Sequence, residues 1–377
     1  MTDEKSNIGS LPEEKPSSPE AKVLVLRDYC IRHKGADCER CALACPHDAI
    51  TFTDDNLPQI DTERCTSCGI CFGICDAFSS NKVTLLDLHE RVKHIARMGD
   101  KVYFTCPENV FPGFVPASNV IVLPCLACMP PELWALILAE NITVIIGCDL
   151  TYCIDCERAG SFAESFYKHT TKTAEDWTSK QLRLSKTIPE KKNIVKDIAN
   201  PTGVARRSAL TNLVDDVSDI VTGKRRLRNS EVLQNYFDKR EKSRAIAQLK
   251  LSEVEEINRF APLGHMKKTM FPKRRMLLEA LNLDPSIAEK VPLYLAEIED
   301  PQSEELRSCV SLCPTGALFP NPETGEISIE QRYCIACGIC IDSVSPGVIS
   351  LIETDASIFL DPSEEETNTI SDDANKG

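Results

Sequence analysis

The sequence predicts an α+β multidomain chain, in which two small βαβ-type modules flank an α/β domain with a parallel sheet and a basic helical region. Three observations predict this class. The 19 cysteines of the 377-residue chain fall into three groups, and the first and third groups belong to an internal repeat. The middle group follows alternating strand-like and helix-like stretches. Because 377 residues exceed what one hydrophobic core normally serves, several domains are expected.

Composition and cysteine spacing divide the chain into six parts. These are a leader expected to be disordered (1–21), a first cysteine module (22–90), a cysteine-rich α/β domain (95–175), a basic helical linker region (176–285), a second cysteine module (286–358) and an acidic tail (361–377). The leader is rich in Glu, Pro, Ser and Lys, a composition that cannot bury enough apolar surface to fold.

Charge is unevenly distributed. The chain has a net charge of −14, yet residues 180–275 carry 23 Lys and Arg against 11 Asp and Glu. The acidic balance argues against nucleic acid as the main partner. The basic stretch predicts either a solvated helical face or linker, or a docking surface for an acidic partner or for the chain's own acidic modules.

The sequence contains no apolar stretch near the roughly 18 residues that a membrane span requires. Residues 1–10 are polar and acidic, unlike a secretory signal. A cytoplasmic protein without a membrane span is therefore expected. In that compartment, 19 cysteines indicate metal ligation rather than a disulfide framework.

The internal repeat joins the two ends of the chain. Residues 60–71 match residues 329–340 at an offset of 269, and residues 41–46 match residues 309–314 at an offset of 268. One module thus occurs twice, with a single-residue change in the hairpin between the matched pieces.

Each copy contains the cysteines that a four-iron cubane needs. A Cys-x-x-Cys-x-x-Cys loop supplies three thiolates, and a distant Cys-Pro supplies the fourth. The first module contains one complete set, Cys45, Cys65, Cys68 and Cys71, which we call site 2 because a second set in the same module, site 1, begins earlier in the chain. In the second module, site 3 is Cys313, Cys334, Cys337 and Cys340. Both sites are expected to bind a 4Fe-4S cluster.

Over residues 28–85 these motifs resemble a bacterial-type dicluster ferredoxin, so both modules are expected to be ferredoxin-like. The resemblance implies crossed ligation, in which Cys75 binds a second cluster together with Cys38 and Cys41. This chain departs from the family pattern in two places. The leading cysteine should stand at position 35, which is Gly35, and Cys75 is followed by Asp76 instead of proline.

Cys30 is the nearest substitute for the missing cysteine. Site 1 is therefore expected to be Cys30, Cys38, Cys41 and Cys75, holding a third 4Fe-4S cluster. The alternatives are a three-iron cluster or a fourth ligand other than cysteine. In the second module, Leu306 and Val344 stand where Cys38 and Cys75 stand in the first. That module is expected to hold one cluster, with Cys309 packed as a small apolar residue.

Three apolar runs in the middle domain each end in cysteine: Val102–Cys106, Val120–Cys125 and Val144–Cys148. Residues 131–140 have helical periodicity, so the last two runs are expected to be adjacent parallel strands of a βαβ unit. Their terminal cysteines would then lie within about 5 to 10 Å, because neighbouring strands are about 4.8 Å apart. The first run is expected to join the same sheet.

Six cysteines would meet at the carboxyl edge of that sheet, where open α/β sheets build their sites. This middle site comprises Cys106, Cys125, Cys128, Cys148, Cys153 and Cys156. Its two Cys-x-x-Cys pairs suit zinc or a 2Fe-2S cluster; a redox-active dithiol and structural thiols are the alternatives. The stretch resembles the small iron-sulfur (delta) subunit of methyl-viologen-reducing hydrogenase, which implies a two-iron cluster.

These patterns predict an electron-transfer iron-sulfur protein with about three 4Fe-4S clusters, a subunit or partner of a larger anaerobic redox complex. Its partners would be a protein donor and a protein acceptor. The sequence has no phosphate-binding loop, dinucleotide fingerprint or nucleophilic triad, so no catalytic residue is assigned and no independent catalysis is expected. The alternatives are a redox enzyme or metal-centre assembly factor that uses the middle cysteines, and a redox-sensing regulator.

Overall fold

The computed structural model describes residues 23–80, 84–191, 268–321 and 324–360. The expected leader, the acidic tail and most of the basic helical region lie outside the described residues. All 19 cysteines lie within them, each as a free thiol.

The first part of the chain consists of short strands and helices. They are β1 (Val23–Val25), α1 (Arg40–Leu43), β2 (Ile50–Phe52), β3 (Pro58–Ile60), α2 (Ile70–Ile74) and β4 (Phe78–Ser80). β1 pairs antiparallel with β4, and β2 and β3 form an antiparallel hairpin. The two helices therefore sit between paired strands, and each lies next to cysteines of sites 1 and 2.

The middle of the chain is a parallel four-stranded sheet with helices packed on it. Its elements are α3 (Leu85–Arg97), β5 (Val102–Thr105), β6 (Val120–Val122), α4 (Pro131–Ala139), β7 (Val144–Gly147), α5 (Gly160–Thr178) and β8 (Arg183–Ser185). The strand order is β6-β5-β7-β8, and every neighbouring pair is parallel.

The sheet differs from the expected arrangement in one respect. β6 and β7 belong to the same sheet but are not adjacent, because β5 lies between them. Tyr103 of β5 is in register with Val120 on one side and with Ile145 on the other. The physical reason is burial: Phe104 and Thr105 are fully buried, and a strand covered on both faces takes the interior of a parallel sheet.

The sheet also extends beyond the predicted domain limit at residue 175, because β8 is its fourth strand. Helix α6 (Pro272–Leu283) belongs to the same core, since it packs against α4. Both elements come from the stretch predicted to be a basic linker. α4 is buried around its whole circumference, which explains why it needs cover on more than one side.

The last part of the chain repeats the element order of the first. It contains β9 (Pro292–Ile298), α7 (Leu306–Leu312), β10 (Leu318–Pro320), β11 (Ile327–Ile329), α8 (Ile339–Asp342) and β12 (Ile349–Asp355). β9 pairs antiparallel with β12, and β10 and β11 form an antiparallel hairpin. A hairpin followed by a short helix after a left-handed glycine occurs in both copies, at Gly69 and at Gly338.

One continuous hydrophobic core joins the three parts. It includes Ile70 from the first, Trp134 and Phe104 from the middle, and Leu306 and Ile349 from the last. The three parts therefore pack against one another as one body. Within the described residues, no helix combines the length and the apolar character that crossing a membrane requires.

We predict that Trp134→Ala lowers the free energy of unfolding by about 3–5 kcal/mol, the usual effect of removing a large buried aromatic side chain. Trp134 is fully buried, and its ring lies edge-on to Phe104 with centroids 5.2 Å apart. Trp134→Phe should be far milder, because it keeps the ring contact and removes an indole N–H that has no hydrogen-bond partner within the described residues.

The measurement is urea unfolding followed by far-ultraviolet circular dichroism. Leu184→Ala is the matched control, since Leu184 is 70% exposed. A Trp134→Ala effect no larger than that of Leu184→Ala would show that α4 is not central to the core.

Candidate metal centres

Site 2 is a cavity of about 390 Å³ whose wall contains all four cysteines of the set. The loop that carries Cys65, Cys68 and Cys71 turns at Gly69, where φ is +79°, a left-handed value that glycine adopts without strain. Burial is the largest cause of the raised pKa values of Cys68 and Cys71, and neighbouring thiolates raise them further. The structure thus brings together the four residues that the spacing indicates.

Site 1 also brings its four cysteines within electrostatic range of one another. Burial raises the pKa of Cys41 to about 12, and the thiolates of Cys75, Cys38 and Cys30 add to the shift. Cys30 and Cys41 are only 4% and 6% exposed. Sequence spacing alone does not identify Cys30 as the replacement for the missing cysteine. In the structure it lies beside the other three cysteines of site 1.

A tight turn after Cys30 makes this possible. Ala36 N–H donates to the Ile31 carbonyl oxygen at 3.0 Å, and Gly35 has a φ of +110°. Any side chain at position 35 would be strained at that φ. The ferredoxin pattern has its leading cysteine at this position, whereas this chain has a glycine that forms the turn. The backbone N–H groups of Arg32 and His33 hydrogen-bond to the Cys30 sulfur and partly offset the effect of burial on its pKa.

Site 3 repeats the arrangement of site 2. Burial raises the pKa of Cys337 to about 11 and that of Cys340 to about 12, and the other thiolates of the set contribute further. Cys309 is fully buried beside the site, and its sulfur lies 3.7 Å from the Cys340 carbonyl oxygen. Leu306 and Val344 pack into the core at the positions where the first module has Cys38 and Cys75.

The middle site lies where the strands of the sheet end. Cys106 follows β5 and Cys148 follows β7, and the two sulfurs lie 3.2 and 3.1 Å from the same donor, the side-chain nitrogen of Asn109. Cys106 lies between the other strand ends because β5 is central. The sequence predicts Cys125 and Cys148 as neighbours; instead Cys106 is next to both strands.

Four of the six middle thiols line one cavity of about 320 Å³. They are Cys106, Cys125, Cys153 and Cys156. A hydrogen bond from Cys148 lowers the pKa of Cys106 and raises that of Cys148, so the pair shares one proton. Burial raises the pKa of Cys125 to about 12 and that of Cys153 to about 11, and the Cys106 thiolate contributes to both.

Cys128 stands apart from that cavity. It lies on the short helical turn Leu126–Cys128, is 4% exposed, and has Cys125 and Cys68 as charged neighbours. The middle site and site 2 are thus in direct contact. The contact is close because α2 has a glycine there: a Cβ on Gly73 would lie 2.7 Å from the Ala127 carbonyl oxygen.

Sites 1, 2 and 3 are packed together as well. A single apolar cluster contains Cys30 and Cys41 of site 1, Cys45 and Cys71 of site 2, and Cys337 of site 3. Cys128 of the middle site thus neighbours Cys68 of site 2, and sites 1, 2 and 3 share one apolar cluster, so the four cysteine groups lie in one connected region.

A single ion and a cluster of several irons require different spacings of the thiolates. Within the described part of the chain, no three His, Cys, Asp or Glu side chains are close enough to share one metal ion. Thiolates on one tetrahedral ion, with bonds of about 2.3 Å, must lie within about 4 Å of each other. In a cubane each thiolate binds a different iron, so the sulfurs are more widely spaced.

Two residues beside these sites are not identified by the sequence patterns. Asn109 joins two sulfurs of the middle site, and nothing in the sequence marks it. Lys273 is buried beside Cys75 although it belongs to a Lys-Arg-Arg run in the stretch predicted to be a solvated face or linker. A helical count could have found it, because Lys273, Leu277 and Leu281 lie on one face of α6.

Comparison with known proteins finds two short similarities. Over 35 residues the chain is 51% identical to a subunit of the Na⁺-translocating ferredoxin:NAD⁺ oxidoreductase complex of Acetobacterium woodii, covering 9% of this chain and 10% of that protein. Over 41 residues it is 49% identical to the isethionate sulfite-lyase activating enzyme of Desulfovibrio desulfuricans, covering 11% of this chain and 13% of that protein.

No family model matches the chain, and no solved structure matches it. The similarities span about a tenth of the chain and of each relative. Each similarity therefore relates a short segment of this chain to a short segment of the other protein.

Proposed function

We propose that this protein transfers single electrons between protein partners through bound iron-sulfur clusters. The observation that carries the proposal is that all four cysteine groups lie in one connected region: Cys128 of the middle site neighbours Cys68 of site 2, and sites 1, 2 and 3 share one apolar cluster. The chain's 19 cysteines and its similarity to a subunit of a ferredoxin:NAD⁺ oxidoreductase complex support an iron-sulfur, redox-related role.

Sites 1, 2 and 3 would each hold a 4Fe-4S cluster, and such clusters exchange one electron at a time. The chain's own groups prepare the sites. Buried thiols become thiolates when they bind iron, and backbone N–H groups stabilise the negative charge. Ala49 N–H lies 3.3 Å from the Cys45 sulfur, and Ala296 N–H lies 3.4 Å from the Cys334 sulfur.

In the middle site, Cys106, Cys125, Cys148 and Cys153 would hold a 2Fe-2S cluster. The charges of Cys106 and Cys153 raise the pKa values of both Cys125 and Cys148, which places these four thiols within electrostatic range of one another. Asn109 would orient two of the ligands. The resemblance of this stretch to the delta subunit of methyl-viologen-reducing hydrogenase supports the assignment.

The fold supports a relay with two ends. The middle site opens at the carboxyl edge of the parallel sheet, and site 3 lies in the last module, so a donor and an acceptor could approach different parts of the chain. No observation on the described residues favours a redox enzyme, an assembly factor or a sensing regulator, and none of these is proposed.

Relay activity tests the proposal directly. Protein reconstituted anaerobically with iron and sulfide should oxidise reduced methyl viologen and reduce cytochrome c without any further substrate. Chemical analysis should give about fourteen iron and about fourteen sulfide per chain if all four centres are filled, since three cubanes and one two-iron cluster contain that number of each. Protein that binds no iron and no sulfide would overturn the proposed function.

We predict that Cys68→Ser removes the four-iron signal of site 2 from the electron paramagnetic resonance spectrum and preserves that of site 3. Cys337→Ser should do the reverse, because each substitution deletes one ligand of one set. The two variants are matched controls for each other, since Cys68 and Cys337 occupy equivalent positions of the repeat. Loss of both signals from either change would show that the two centres are not separate.

We predict that Cys30→Ser converts the cluster of site 1 into a three-iron form, because three thiolates remain and one iron loses its ligand. Electron paramagnetic resonance of the oxidised protein detects that form. Cys309→Ser is the control, since Cys309 is a buried cysteine outside the proposed ligand sets. An unchanged spectrum in Cys30→Ser would remove Cys30 from site 1.

We predict that Cys153→Ser abolishes the two-iron signal of the middle site and that Cys156→Ser leaves it in place. The reason is that the Cys153 thiol lies within range of the Cys106 and Cys125 charges, as a shared cluster requires. Visible absorption and electron paramagnetic resonance of the two variants provide the comparison. Equal spectra would refute the choice of Cys153 over Cys156.

A further inference from the structure

Lys273 is a buried cation between the first module and the middle domain. Its side chain is 8% exposed, and its ammonium nitrogen has no hydrogen-bond partner among the described residues. A buried charge of this kind is strongly disfavoured unless an opposite charge lies nearby. The position of Lys273 therefore calls for an anion.

Asp76 places Lys273 in this position. The Asp76 carboxylate accepts the backbone N–H of Lys273 at 3.1 Å, and α6 has no side-chain cap of its own. Asp76 thus caps α6 from another part of the chain, where a carboxylate also complements the positive end of the helix. This explains why the residue after Cys75 is Asp76 and not the proline of the ferredoxin pattern.

Three acidic groups surround the Lys273 side chain. Burial raises the pKa of Cys75 and that of Glu132 on α4. In both cases the positive charge of Lys273 acts in the opposite direction and lowers the pKa. Burial is the largest influence on Glu132 and raises its pKa, which favours the neutral acid. Asp76 is the third group, and it lies between Cys75 and the first turn of α6.

A second cation, Arg40, also lies beside site 1. Burial lowers the pKa of Arg40, but a hydrogen bond to Cys38 and the charges of Cys75 and Asp76 raise it overall. Arg40 is exposed, so water screens its charge, whereas Lys273 is buried. Of these two cations, Lys273 therefore has the stronger effect on the charge of the site.

We propose that Lys273 tunes site 1, raising the reduction potential of its cluster above the value that the ligands alone would give. This rests on the proposed function. When one electron moves from the reduced cluster of site 2 to the oxidised cluster of site 1, no bond forms or breaks and site 1 gains one negative charge. The buried ammonium group stabilises that charge because the protein interior screens the interaction poorly. The effect is largest on the nearest centre.

The test is a redox titration monitored by electron paramagnetic resonance on the full, reconstituted chain. Lys273→Met keeps the length of the side chain and removes its charge, so the midpoint potential of site 1 should shift to a more negative value. The potentials of sites 2 and 3 should move less. Lys273→Arg, which keeps the charge, should leave site 1 near its original potential, and Lys290→Met is the control at an exposed lysine.

Asp76→Asn provides a second approach that does not depend on Lys273→Met folding. Asparagine still offers an oxygen to the Lys273 N–H, but the variant has one negative charge fewer beside Cys75. Its site 1 potential should therefore shift to a more positive value. The three-iron signature of Cys30→Ser identifies which signal belongs to site 1.

An unshifted site 1 in both variants, or an equal shift at all sites, would overturn the role of Lys273. That result is distinct from failure of the proposed function, which would appear in the unsubstituted protein as an absence of clusters. A site 1 shift of the predicted sign in Lys273→Met that Lys273→Arg lacks would support the charge, and not the packing, as the cause.

Discussion

Sulfur atoms gathered in buried space impose the main constraint on this structure. Burial raises the pKa values of Cys41, Cys125 and Cys340 to about 12, so at neutral pH these groups would be neutral thiols without metal. Iron binds the thiolate, and metal binding therefore releases protons and contributes to folding.

Close packing between parts of the chain is the second constraint, and it explains a difference between the two copies of the repeat. Gly73 faces the Ala127 carbonyl oxygen so closely that a side chain would collide with it. The equivalent residue in the last module is Asp342, at the end of α8. The contact between site 2 and the middle site therefore required glycine in one copy alone.

Helix α6 connects the centres although it contributes no ligand. Phe271, just before the helix, lies edge-on to Tyr29 with ring centroids 5.3 Å apart. Arg274 donates to the Cys334 carbonyl oxygen at 2.7 Å, next to site 3. The helix thus approaches sites 1 and 3 from its first turn and packs against α4, so its position affects both the packing and the charge around these cysteine groups.

The sequence by itself determined what depends on neighbouring residues. Cys65, Cys68 and Cys71 are close because two-residue spacings leave the loop little freedom, and the apolar runs before Cys106, Cys125 and Cys148 are strands because of local β propensity. Tertiary structure alone decided that β5 lies between β6 and β7, that Cys30 joins Cys75, and that Lys273 is buried beside them. These outcomes depend on which surfaces meet across tens to hundreds of residues, and the free energy of burial that selects among such pairings is not encoded in any local pattern.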